Sequence, residues 1–331
     1  MSTRPRNQDG RLKVEARREQ REGNPYQTRN GPYALTLSAD PIEWSHMFDY
    51  PQLDPVALSL GPLKVHWYGL MYLLGFFGMW VLGRYRASAP NSGWDARMMD
   101  DALFYGILGT ILGGRLGYML FYGLDQLTAN PLNAFKIWEG GMSFHGGLIG
   151  VSIALWLFSR RRDMGFWQVT DFAAPLVPLA LFTGRIGNFI NGELWGHPTD
   201  VPWGMRVPCE RFGEYCGGLP PGTAWSPPLH ASQLYEAALE GLALFLILWI
   251  FSARPRPTMA VSGMFLLGYG VFRLLVELVR RPDAHIGYLA FDRLTMGQVL
   301  TLPMVLLGVF LLILAYRSIR SPGAAKRSPL P

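Results

Sequence analysis

The sequence predicts an all-α polytopic membrane protein, with seven transmembrane helices and a small external head. Three observations carry that prediction. Half of the 331 residues are hydrophobic and only 16% are charged, far from a soluble balance. Three uncharged apolar runs, 65–83, 142–159 and 294–316, reach the ~20 residues that a spanning helix needs. Four more segments reach that length only with charge inside them: 101–123 with Arg115, 169–190 with Arg185, 232–252 with Glu236 and Glu240, and 259–280 with Arg273 and Glu277.

The loops test this count independently. With the first span running from outside to inside, the inner loops hold 12 Lys and Arg and the outer loops hold 5. Lys and Arg favour the cytoplasmic side, so the alternation supports seven spans with the C-terminus inside. Residues 1–46 fit less well. They carry eight Lys/Arg and six Asp/Glu and no apolar stretch, which is the composition of a disordered arm and of no signal peptide. Two resolutions stay open: translation begins at Met47, or the arm is an outside extension overruled by the later loops. A chain starting at Met47 is expected to insert and work normally. The organisation read from sequence is thus an arm (1–46), a seven-span body (47–320) containing an external head (191–231), and a cytoplasmic tail (321–331). Both cysteines, Cys209 and Cys216, fall in the head, where a disulfide and two free thiols are equally open. The net charge of +6 owes much to the inner loops and does not point to nucleic acid. With no HExxH, no CxxC and no aspartate cluster, no metal or cofactor is expected.

Taken in order, the spans concentrate polar side chains toward their outer halves. Span one opens with Tyr68. Span two carries Arg115, at a depth similar to that of the later arginines. Span three opens with Gly140-Gly141-Met142-Ser143-Phe144-His145-Gly146-Gly147. A neutral imidazole flanked by glycines suits a base for a thiol or hydroxyl, although a histidine there could equally serve as a cap. Span four ends in Gly184-Arg185-Ile186-Gly187-Asn188-Phe189-Ile190-Asn191-Gly192-Glu193-Leu194-Trp195-Gly196, rich in glycines that let a ligand approach the backbone. The plainer reading is a packed helix end with Arg185 snorkelling to the interface. On span five, Gln233, Glu236 and Glu240 share a face, as countercharges for Arg115 or its neighbours. On span six, Tyr269, Arg273 and Glu277 stack at i, i+4 and i+8, either as a ligand face or as a self-contained ion pair. Charge in hydrocarbon costs several kcal/mol, and arginine is shaped to grip phosphate through paired donors, so these arginines point to an anionic headgroup.

The chain closely resembles the bacterial prolipoprotein diacylglyceryl transferases. The matching stretches are His66-Trp67-Tyr68-Gly69-Leu70-Met71-Tyr72, Gly114-Arg115-Leu116-Gly117-Tyr118, the Gly140 to Gly150 segment, the Gly184 to Gly196 run, Ser232-Gln233-Leu234-Tyr235-Glu236, the Gly268 to Glu277 segment, and Arg281-Pro282-Asp283. Two departures stand out: Ala231 where the family often has proline, and the arm 1–46. The resemblance implies a multi-pass enzyme of the bacterial inner membrane, with the N-terminus outside, the C-terminus cytoplasmic, and both head and site periplasmic. It implies that the diacylglyceryl group of phosphatidylglycerol moves to the thiol of the lipobox cysteine in a preprolipoprotein signal peptide, releasing glycerol phosphate. By motif position, Arg185 and Arg273 would contact phosphatidylglycerol, and His145 and Tyr269 match functionally important positions; for a thiol nucleophile His145 is the candidate base, with Tyr269 positioning or relaying the proton. Tyr68, Asn188, Glu193, Gly196 and Glu277 complete the implied substrate site. The rival readings are a transporter or scramblase for anionic lipids and a lipid-binding structural protein, neither of which needs a base.

Overall fold

Apolar stretches in lipid fold as helices because a helix satisfies every backbone N–H and C=O within itself. The computed structural model describes residues 48–320 except 62, 91, 138–139, 282–287 and 291–293; the arm, Met47, the tail and Pro282-Asp283 of the last motif lie outside the described residues. Its helices in chain order are α1 (Trp67–Ala87), α2 (Ala96–Phe121), the short α3 (Leu124–Ala129), α4 (Phe144–Arg161), α5 (Phe166–Ala173), α6 (Val177–Asn191), α7 (Ser232–Ser252), α8 (Ala260–Glu277) and α9 (Met296–Arg320). Three two-stranded sheets accompany them. Strand β1 (Phe48–Asp49) pairs in parallel with β4 (Met205–Arg206), β2 (Val56–Leu60) and β3 (Leu63–His66) form a hairpin before α1, and β5 (Tyr288–Ala290) pairs with β6 (Leu294–Thr295) before α9.

Helices α2, α7, α8 and α9 are long and apolar enough to cross a membrane, and α5 with α6 makes a fifth if that bent pair is one span. Helices α1 and α4 reach span length with 21 and 18 residues, but not the same apolar composition. The single helix expected over 169–190 is in fact two, bent by 48°. Pro175 lies in the break; it has no N–H to donate and clashes with the preceding turn.

Polarity is distributed inside out. Leu73, Phe77, Leu116, Ile250 and Leu306 are exposed, while Arg115, Gln233, Glu236, Glu240 and Glu277 are buried. That is the arrangement expected when the surroundings are lipid. Packing between α2 and α4 relies on small residues. A Cβ on Gly113 or Gly150 would collide with the backbone carbonyl of Gly146 or Gly109, so the two helices meet backbone to backbone. Helix starts are capped. Asp95 accepts from the Met98 N–H at 2.7 Å and Ser143 accepts from the Gly146 N–H at 3.2 Å. Asp171 on α5 caps α8 from a distance, accepting from the Met259 and Ser262 N–H groups at 2.7 Å each.

Between α6 and α7 the chain leaves the helical layer and builds a small core of Trp195, Val207, Phe212, Leu229 and Ala231 around Tyr50, which arrives with β1. Its entry point is Gly192, in the left-handed region at φ 73° and packed against the Phe212 ring, where any side chain would clash. Cys209 and Cys216 form a disulfide. It closes a short loop, which corresponds to about 2–3 kcal/mol of stabilisation on chain-entropy arguments. Thiol titration of the denatured, unreduced protein is expected to find no free thiol; two would refute the bridge.

Candidate active site

One carboxylate organises the site. Glu236 ends the first turn of α7, fully buried, and three guanidiniums converge on it. Arg185 from α6 places Nε 2.8 Å from Oε2, Arg273 from α8 donates Nη1 to Oε1 at 2.7 Å, and Arg280, just past α8, donates Nη1 to the same oxygen at 3.0 Å. The next turn of α7, Ala237–Ala243, is a π-helix, a rare widening that is frequent at functional sites. It brings a second buried carboxylate, Glu240, alongside the same arginines at 3.8 and 3.9 Å, too far for hydrogen bonds. Neither Glu240 oxygen accepts a hydrogen bond among the described residues, and neither does the buried Gln233 amide. Arg273 also pairs with Glu277 at 3.0 Å, so the i, i+4 ion pair exists but is not self-contained. Thr295 donates to Glu277 at 2.7 Å and ties that end of α8 to the start of α9.

Arg185 differs from its neighbours. Its side chain is 20% exposed, and beyond the Nε contact its terminal nitrogens make only long approaches: Nη1 to Asn188 Oδ1 at 3.5 Å and Nη2 to Glu240 at 3.9 Å. Both terminal nitrogens of Arg273 are engaged, by Glu236 and Glu277. The α6 end then turns polar. Asn188 donates to Glu193 Oε2 at 3.2 Å and Asn191 donates to Oε1 at 2.9 Å, which fixes the exposed Glu193 carboxylate beside Arg185. Tyr68, in the first turn of α1, shares a 3.1 Å hydrogen bond with Tyr72 and lies within electrostatic reach of Arg185 and Glu193. Tyr269 lies within reach of Glu240, Arg273 and Arg185.

Other residues singled out from sequence make no side-chain hydrogen bond or ion pair to this cluster among the described residues. Gly196 bridges to Arg280 and packs against the Val279 carbonyl and His230. His145 is exposed in the first turn of α4, and among the described residues no hydrogen bond or ion pair joins it to the arginines. Arg115 shares no ion pair with this cluster among the described residues. Its guanidinium is buried and donates to the carbonyls of Asn133 at 2.6 Å, Ala134 at 3.1 Å, Gly140 at 2.5 Å and Gly141 at 3.3 Å. It therefore clamps the loop that leads into α4, and Glu236 and Glu240 serve Arg185, Arg273 and Arg280 instead. Arg280 was missed because it is the last residue of the 259–280 segment, where an arginine ordinarily reads as an interfacial anchor. The available signal was its spacing, seven residues after Arg273 and three after Glu277, on one helical face. In the head, burial lowers the His197 imidazole below its ordinary value, with Arg281 and His230 adding to the effect, and burial likewise lowers His230. Burial, with Glu214 nearby, pushes Tyr215 up to about 12.

Comparison with known proteins places these residues in context. The family model described as prolipoprotein diacylglyceryl transferase matches residues 55–314. The chain is 58% identical over 266 residues to the phosphatidylglycerol–prolipoprotein diacylglyceryl transferase of Solidesulfovibrio magneticus, covering 80% of this chain and 96% of that protein. To the Pseudomonas fluorescens protein of the same name it is 54% identical over 280 residues, covering 85% and 100%. To that of Pseudomonas aeruginosa strain LESB58 it is 55% identical over 271 residues, covering 82% and 97%.

The cluster makes a stability prediction. Glu236→Gln leaves three guanidiniums without their shared anion, and breaking a buried ion pair in this way costs about 3–5 kcal/mol. Glu240→Gln, which severs no hydrogen bond, is expected to cost far less. Thermal unfolding of both variants in detergent decides the matter, and equal midpoints would sink the assignment.

Proposed function

The chain belongs to the prolipoprotein diacylglyceryl transferase family, and from that membership we propose that it moves the diacylglyceryl group of phosphatidylglycerol onto the lipobox cysteine of preprolipoproteins. The sulfur attacks the glyceryl carbon, the C–O bond breaks toward phosphate, glycerol phosphate leaves and a thioether forms. The thiol proton goes to a base, because a free cysteine, with a pKa of about 8.5, is mostly un-ionised near neutrality. The phosphodiester, carrying −1, becomes a monoester approaching −2. Donors aimed at that group bind the transition state better than the substrate.

The observation that carries the reading is the state of Arg185. Glu236 holds it by Nε, which leaves its terminal nitrogens partly exposed, with only long contacts to Asn188 and Glu240 among the described residues. That is the geometry for bidentate contact with a phosphate. Arg273 adds fixed positive charge behind it, and Asn188, Glu193 and Tyr68 line the approach. Gly196 lets the head pack close to this wall, and Glu277 holds Arg273 in place. His145 is the proposed base: it stands exposed and uncommitted on a capped helix start, with Tyr269 as the relay on the arginine side. The seven-span reading takes α1, α2, α4, the α5–α6 pair, α7, α8 and α9 as spans, in the bacterial inner membrane with the head and site periplasmic. The Lys/Arg asymmetry of the loops supports that orientation.

Mass spectrometry of a lipobox peptide incubated with phosphatidylglycerol tests the activity, since only a transferase adds a diacylglyceryl mass. Arg185→Lys keeps the charge and loses the fork. Removing one charge-assisted hydrogen bond of ~1.5–3 kcal/mol corresponds to roughly a 10- to 150-fold lower rate. His145→Gln is expected to abolish transfer while still binding the lipid. Wild-type turnover in either variant overturns the role of that residue.

A further inference from the structure

We propose that Tyr50, outside every motif noted in the sequence, is a positioning residue that holds the end of α6 and thereby aims Asn188 and Glu193 at Arg185. The last carbonyls of any helix lack partners within it and fray unless something else donates to them. Here the Phe189 carbonyl accepts from the Gly192 N–H at 3.0 Å, and the Tyr50 hydroxyl reaches that carbonyl at 2.9 Å and the Ile190 carbonyl at 2.7 Å. These two residues lie between Asn188 and Asn191, whose side chains both donate to Glu193.

The hydroxyl is itself held in place from several directions. The Tyr50 N–H donates to the Arg206 carbonyl at 2.9 Å, continuing the β1–β4 pairing. Before it, Asp49 accepts from Arg206 at 2.8 Å; after it, the Leu53 carbonyl accepts from Arg211 at 2.8 Å. Its ring stands edge-on to Phe189 and Trp195 at 5.5 Å and to Phe212 at 5.8 Å. Only 1% of the residue is exposed, and burial raises the hydroxyl above its ordinary pKa, so it keeps the proton it donates. The short segment entering at Phe48 therefore works as a strap: the head grips its backbone, and its one buried hydroxyl grips the helix that carries Arg185.

This inference rests on the transferase reading for its kinetic readout, and a binding readout separates the two. Tyr50→Phe keeps the ring and its packing and removes only the donor. Binding of phosphatidylglycerol in mixed micelles and turnover with a lipobox peptide are measured for the full chain, for Tyr50→Phe, for Glu193→Gln and for the double variant. Tyr50→Phe is expected to weaken phosphatidylglycerol binding and to lower kcat/KM by about 5-fold, the effect of one neutral hydrogen bond. In the double variant the loss should not multiply, because both changes disturb the same turn. Wild-type binding and kinetics in Tyr50→Phe, whatever its melting temperature, overturn the proposal, and so do effects that multiply. If the wild-type chain binds the lipid without transferring it, the transferase reading fails, and the binding comparison still decides the role of Tyr50.

Discussion

Everything at the site depends on a single buried carboxylate sharing three guanidiniums. Glu236 is what allows Arg185, Arg273 and Arg280 to stand together inside an apolar bundle, since like charges at that spacing would otherwise repel and each would require its own hydration. A buried ion pair is poor evidence of net stability, because desolvation offsets most of the attraction. Its use lies in orientation. By engaging Nε of Arg185 and a terminal nitrogen of Arg273, Glu236 decides which edge of each guanidinium faces outward. The π-turn that follows it widens α7 where Glu240 must also fit beside the arginines.

Around that centre the fold joins helices both along their length and at their ends. The glycine contacts between α2 and α4 bring their backbones together, and Arg115 then ties the following loop by four carbonyls. Asp171 anchors the start of α8, Thr295 ties its end to α9 through Glu277, and Trp195 donates to the Gly192 carbonyl at 2.9 Å where α6 stops. Polar side chains gather at those ends because unsatisfied backbone groups and polar side chains can be served together there.

The sequence made the helices legible wherever apolar runs were long, and it made the arginines conspicuous because charge in such runs has few innocent uses. It placed Arg185, Asn188 and Glu193 within one motif, and the structure joins them by direct contacts. What sequence could not supply was azimuth. Depth along a span follows from counting residues, but the direction in which a side chain points around the axis depends on its neighbours. The partners of Arg115 therefore could not be read from its depth, and they are loop carbonyls rather than the carboxylates of α7. The break at Pro175 was visible as a proline yet hidden inside a segment of plausible span length. Tyr50 carried no sequence signal at all, since its partners are backbone carbonyls about 140 residues away.

The charge count of the cluster bears on how such a site can work. Three guanidiniums stand beside three carboxyl groups, Glu236, Glu240 and Glu277, so much of the cluster's charge is already matched within it. Selectivity must then come from arrangement: one arginine with an open fork, backed by charges already committed to each other. On the proposed assignment of Arg185, a ground-state phosphodiester brings a single charge to that fork. A leaving phosphate monoester brings more, at the oxygen where the bond breaks, and donors fixed before the reaction begins meet it without reorganising. On that assignment the arrangement favours the transition state over the ground state, which is what lowers the barrier rather than only tightening substrate binding.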